Sequence, residues 1–252
     1  MHLVISELLS VRMHQLSVAI LLMCIYFYVE YKLIVVNLNA LQERALYFYW
    51  IRKKINILQV FTIVVFSLMG IIQMYFYLNN YDINYVINHY GLVHKKIDNG
   101  EYWRFLAGPF FHGSFQHWVI NFFLLYFSCF VHSRIASIKT LTLLLLTFIL
   151  SGIAVHLISY ELKVNPSFGA FCGLSAGIFF MLGLQLVVSY KLKEEFPKYY
   201  FVSVFMYALL NFLLPYITDT KASNIAHFTG LIVGVFYGCL IKRSIFEADS
   251  RI

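Results

Sequence analysis

Four polar residues stand inside otherwise apolar runs of this 252-residue chain: Ser175, His227, and the pair His117 and Asn121. Polar side chains in such surroundings are costly and tend to mark function. A serine hydroxyl is a weak nucleophile until a base removes its proton. His227 is the base candidate. His117 and Asn121, four residues apart, share one face of a helix, and both can donate hydrogen bonds. Such donors stabilise the oxyanion of a tetrahedral intermediate. No Asp or Glu lies in the apolar core runs, and Asp219 and Glu161 in the adjoining loops are poor third members of a triad. The chemistry these types imply is acyl transfer by a Ser175–His227 dyad. Each residue alone has a plainer explanation. Serine is a common packing residue in membrane helices, and histidine and asparagine are common interhelical glue. The joint pattern is what carries weight.

The elements that must position them follow from composition. Hydrophobic residues make up 61% of the chain and charged residues 12%, against roughly 25% charged in soluble domains. Too little charge is present to cover a water-facing surface, so lipid is the expected solvent. Six stretches approach the roughly 20 residues that cross a bilayer: 56–78, 117–133, 138–159, 172–190, 199–217 and 225–241. A seventh, 16–38, is interrupted by Glu30 and Lys32, and both a spanning and an interfacial placement fit it. Residues 1–54 therefore read as an N-terminal extension and 55–245 as the membrane domain. Residues 1–15 carry no cleavage-site pattern, so the hydrophobic helices themselves are expected to drive insertion. With Arg52, Lys53 and Lys54 inside, alternation collects eleven basic residues on that side and five on the other. That bias sets the orientation, and the long loop 79–116 is then outside. The net charge of +7 reads as topology control, not nucleic-acid binding.

Depth along the helices can be read from the rise per residue. Ser175, His227 and His117 fall roughly 21–22 Å above the inner face, and Asn121 about 6 Å lower. All four share one layer near the outer side. Glycines recur every four residues at Gly169, Gly173 and Gly177, and again at Gly230, Gly234 and Gly238. Small-xxx-small faces let helix backbones approach closely, and packing these two faces together would join Ser175 to His227. Cys24, Cys129, Cys172 and Cys239 show no metal spacing and read as inert buried thiols. His89, His94, His132 and His156 are scattered, and neither a metal nor a cofactor is expected.

These residues resemble the rhomboid family. The run Glu101-Tyr-Trp103-Arg104, continuing to His112-Gly-Ser-Phe-Gln-His117-Trp-Val-Ile-Asn121, is similar to its Trp-Arg and His-x4-His-x3-Asn motifs. Gly173-Leu-Ser175-Ala176 resembles its Gly-x-Ser-Gly motif, and His227-Phe-Thr-Gly230-Leu-Ile-Val-Gly234 its sixth-helix motif. The resemblance covers about residues 56–243. It implies an all-α polytopic membrane protein with a six-transmembrane-helix core. It further implies an intramembrane serine endopeptidase with Ser175 as nucleophile and His227 as base, then acid. His117, Asn121 and the Ser175 backbone N–H would form the oxyanion hole. Trp103 and Arg104 would anchor the outer loop, which His112 would help to hold. Two departures stand out: Ala176 replaces the family's glycine after the serine, and Phe179 replaces a tyrosine that stacks on the histidine.

The expected partners are the lipid bilayer and single-pass or other transmembrane proteins. Their helices, weakened near the outer end, would arrive laterally beside helices two and five, with loop 218–226 as a cap. The expected location is a bacterial plasma (inner) membrane with the site opening outward. Two other classes fit less well. A catalytically inactive relative that binds membrane helices would generally lack Ser175 or His227. A transporter would need a polar path across the whole membrane, and the inner halves of these helices are apolar.

Overall fold

The computed structural model describes residues 17–18, 20–53, 57–112, 115, 117–119, 121–122, 124, 138–161, 170–171, 173–217 and 224–242. Helix dominates them. In chain order the elements are α1 (Ile20–Val35, its last turn Tyr31–Val35 wound as a π-helix), α2 (Leu38–Lys53), α3 (Ile57–Leu78) and α4 (Ile83–Tyr90). They continue with β1 (Leu92–Val93), α5 (His94–Asp98), α6 (Arg104–Ala107), α7 (Ile138–Glu161) and β2 (Ala170–Phe171). The last three helices are α8 (Ser175–Lys191), α9 (Tyr200–Ile217) and α10 (Asn224–Leu240). Five of the six apolar stretches are therefore helical over nearly their whole length. Of the second, only 117–119, 121–122 and 124 are described, and they are helical too.

One helix is the axis of the rest. From Ala176 to Gln185 every residue of α8 is buried, as a helix apolar all round must be. Helices α3, α7, α9 and α10 turn large apolar side chains outward, among them Ile71, Leu150, Phe205 and Phe236. Polar groups go inward: Gln73, Thr147, Ser151, Gln185 and Ser189 are buried. Thr147 and Ser151 return their hydroxyls to backbone carbonyls of their own helix. This polarity is the reverse of a water-soluble bundle. Among the described residues no single helix is long and apolar enough to cross a membrane alone, while the pair Ile20–Val35 and Leu38–Tyr47, bent by 96°, meets that requirement jointly.

The segment 79–112 is largely structured, which its sequence left open. Asp82 caps α4 by accepting the Tyr85 N–H at 2.7 Å, a standard N-cap bond. Two-residue strands then pair antiparallel, Leu92 with Phe171 and Val93 with Ala170. That ladder fastens this segment to the residues just before α8. His94 Nδ1 and His156 Nδ1 share a hydrogen bond of 2.8 Å, tying α5 to α7.

The fourth helix begins at Ser175 and not near 172, as periodicity suggested. Gly173 has φ +110, a conformation outside any right-handed helix and open mainly to glycine.

Candidate active site

Ser175 is the first residue of α8. It is half-buried, and a helix's first N–H groups have no intrahelical partner. Its own N–H therefore has no intrahelical partner, and the positive end of the helix dipole lies at this turn. The turn ahead of it is tightly confined. A Cβ on Gly173 would lie 2.9 Å from His117 Cε1 and 3.4 Å from His112 Cδ2. The Gly173 N–H donates to the Gly108 carbonyl at 3.2 Å. Glycine is needed there for both backbone angle and space.

His227 lies in the first turn of α10 and is 6% exposed. The α8–α10 seam fixes its level. A Cβ on Gly230 would run into the Ala176 carbonyl, one on Gly234 into the Phe180 carbonyl, and one on Gly183 into the Leu231 carbonyl. The two helices run parallel with backbones touching, four residues matched by four. Residue 227 is one turn ahead of Gly230 on the same face, so it stands level with the 173–175 turn. Phe179 of α8 stacks on the His227 ring with centroids 4.3 Å apart and planes 13° from parallel. Phe212 of α9 meets Phe179 edge-on at 6.3 Å. His227 Nδ1 is buried with no hydrogen-bond partner, and no Ser175–His227 hydrogen bond occurs among the described residues. Catalytic hydrogen bonds are often long in unliganded enzymes and tighten when substrate binds.

Half of the glycine expectation needs correction. Gly230 and Gly234 do pack on the α8 backbone. Their partner is the Ala176–Phe180–Leu184 edge, not a Gly173–Gly177 face. Gly177 faces α7, where a Cβ would lie 2.7 Å from the Phe148 ring and 2.9 Å from Leu144 Cδ1. It therefore adds no room beside Ala176 at the α10 seam. Ala176 is 1% exposed, and its own carbonyl is what Gly230 touches.

His117 is half-buried and meets His112 edge-on, ring centroids 5.1 Å apart. Asn121 is 3% exposed, and its Nδ2 has no hydrogen-bond partner among the described residues. A buried amide with an unused donor is costly, and here it lies one helical turn from His117. His112 is fully buried with both ring nitrogens unpartnered among the described residues. Burial, with His117 adding to it, holds His112 well below the ordinary histidine pKa.

Trp103 and Arg104 lie apart from this layer. Arg104 is 2% exposed and bonds Glu101 at 2.9 Å, the Gly91 carbonyl at 2.6 Å and the Asn88 carbonyl at 3.2 Å, with Trp103 across its guanidinium. A fully satisfied buried arginine joining α4, the strand turn and α6 is a structural knot. Of the other sequence expectations, buried thiols at Cys24 and Cys239 need correction, since both are exposed on the apolar outer faces of their helices. Cys129, Cys172, Gly169, His132, and the 218–223 part of the proposed cap lie outside the described residues. No group of three or more metal-ligating side chains occurs among the described ones. Sequence reasoning passed over Phe212 and the β1–β2 ladder. An aromatic in an aromatic-rich helix and a two-residue strand leave no periodic signal.

Comparison with known proteins covers the region that holds these residues. A family model described as the Rhomboid domain matches residues 99–244. The chain is 27% identical over 168 residues to the protein named rhomboid protease GlpG of Haemophilus influenzae, an alignment covering 64% of this chain and 80% of that one.

Proposed function

The chain belongs to the rhomboid family, and on that premise we propose that it is an intramembrane serine endopeptidase working through Ser175 and His227. Members of this family are integral membrane proteins. We assign residues 55–245 as the protease domain, with six membrane crossings and 1–54 as an N-terminal extension. The observation that carries the reading is the α8–α10 seam. Carbonyl-to-glycine contacts hold the serine-bearing helix start level with a histidine clamped flat on Phe179.

In the proposed reaction His227 takes the Ser175 proton as Oγ attacks the scissile carbonyl carbon. The resulting oxyanion is met by the Ser175 N–H, His117 and Asn121, donors already fixed in place. His227 then protonates the departing amine as the C–N bond breaks, and a water hydrolyses the acyl-enzyme by the same path in reverse. A triad carboxylate would orient the imidazole. Here the Phe179 face does so, by packing instead of charge. The substrate is a transmembrane helix of another membrane protein, arriving from lipid beside α9. A helical peptide bond is shielded by its own hydrogen bonds, so helix-weakening residues near its outer end favour cleavage. No metal or other cofactor takes part. The 27% identical relative comes from a bacterium, which supports a bacterial plasma membrane as the location; the site is proposed to open outward.

The unpaired Nδ1 and the missing Ser175–His227 hydrogen bond give a second reading some footing: a catalytically silent relative that binds membrane helices. The test is to incubate the purified protein in liposomes with a panel of transmembrane substrates beside Ser175→Ala and His227→Ala. Cleavage by the parent alone supports the protease. Binding of the helices without cleavage by any of the three supports the silent relative.

A further inference from the structure

We propose that the N-terminal segment is a strap that holds α9 shut against the core, with Arg44 as its positioning residue. The inference rests on the protease reading and adds a regulatory element to it. It starts from a charge in an unfavourable place. Glu30 interrupts the apolar run of α1, where a lone carboxylate is expensive. The 96° bend between α1 and α2 brings Arg44 to it: Nη1 donates to Glu30 Oε2 at 2.9 Å, with both side chains under one-fifth exposed. The same guanidinium donates through Nη2 to Ser203 Oγ on α9 at 2.7 Å and lies 6.0 Å from the Tyr200 ring. One planar fork thus joins α1, α2 and α9, which the single point charge of a lysine cannot do.

The neighbouring contacts repeat the direction. Glu43 accepts the Lys198 N–H at 2.9 Å. The Tyr47 ring packs on Phe196 and Tyr200, and Tyr26 on Tyr207. Every one of these reaches residues 196–207, the turn before α9 and the first half of that helix. At the far end of α9, Phe212 touches Phe179 and Phe228 beside His227. Helix α9 contains no glycine and meets the core through side chains, whereas α10 is locked backbone to backbone. It is the wall of the site that can swing without breaking the dyad. The strap grips that wall at the end opposite the chemistry.

The experiment uses the full chain in lipid nanodiscs with Arg44→Ala, Glu30→Gln and Arg44→Lys. Backbone hydrogen exchange should quicken about tenfold across residues 203–213 in the first two variants, the loss of one charged hydrogen-bond set, and stay unchanged in α8. Cleavage of a transmembrane substrate should rise about threefold in kcat/KM as the open form gains population. Labelling of Ser175 by a small fluorophosphonate, which needs no movement of α9, should hold its rate. Arg44→Lys should fall between. Unchanged exchange in α9, or equal acceleration in α8, overturns the strap. Cleavage and labelling falling together also overturns it, since that marks a residue needed only for folding. A parent protein that neither labels nor cleaves would sink the protease reading, and the exchange data would still decide whether Arg44 holds α9.

Discussion

The α8–α10 seam and the α9 flank meet at the same Phe179–His227 pair but are built on different physics. At the seam, glycine removes the side chain and backbone meets backbone, so the spacing between helices has no adjustable part. At the flank, Phe212 against Phe179 and Arg44 against Ser203 are contacts between side chains that can change rotamer. In the proposed protease, a serine and a histidine that meet within hydrogen-bonding reach gain from the first kind of joint. A wall that admits a substrate helix gains from the second. On that reading, rigidity is placed at the proposed dyad and compliance at the proposed entry.

Substitution can break that contrast. The largest effect is expected at the seam: Gly230→Leu drives a side chain into the Ala176 carbonyl. Overpacking alone costs about 1–3 kcal/mol, and backbone cannot yield as a rotamer does, so loss of the folded protein or of all activity is expected, read by thermal unfolding and substrate cleavage. The reverse exchange at the flank, Phe212→Ala, should leave unfolding within about 1–2 kcal/mol of the parent, since the half-buried ring is at an edge contact. Equal damage at both sites would erase the distinction. A smaller effect is expected at Phe179. Removing the ring that holds His227 should lower kcat about tenfold, the worth of one good aromatic pair, while Phe179→Tyr keeps activity.

The smallest effect concerns pH. His112 is held neutral by burial, below the 6.5 of an unperturbed histidine. On acidification the unfolded chain takes up that proton first, so stability is complete above pH 6.5 and declines below it, by up to about 1.4 kcal/mol per pH unit. His112→Gln should flatten the decline. A parent protein equally stable at pH 5 and pH 7 would show that His112 gains a proton-tolerant partner.

Much of the layer was legible in the sequence because membrane helices advertise both their length and their misplaced polar groups. Ser175, His227, His117 and Asn121 stand out for being polar in apolar runs, and Gly230 and Gly234 for their spacing. What stayed hidden depends on direction and distance. Periodicity placed Gly173, Ser175 and Gly177 in one helix, but the positive φ of Gly173 starts the helix only at Ser175 and turns Gly177 toward Phe148. Two-residue strands joined across the chain at Leu92 and Phe171 have no local pattern. Arg44 reads as an ordinary surface charge until the bend brings Glu30 to it and the fold brings Ser203, 159 positions away.

The central claim is that Ser175 is a nucleophile activated by His227. The most direct measurement is mass spectrometry of the intact protein and its peptides after reaction with a fluorophosphonate in lipid. The account predicts one covalent adduct, on the peptide carrying Ser175, lost in Ser175→Ala and strongly slowed in His227→Ala. An adduct on another residue, or equal labelling of Ser175 with and without His227, would contradict it.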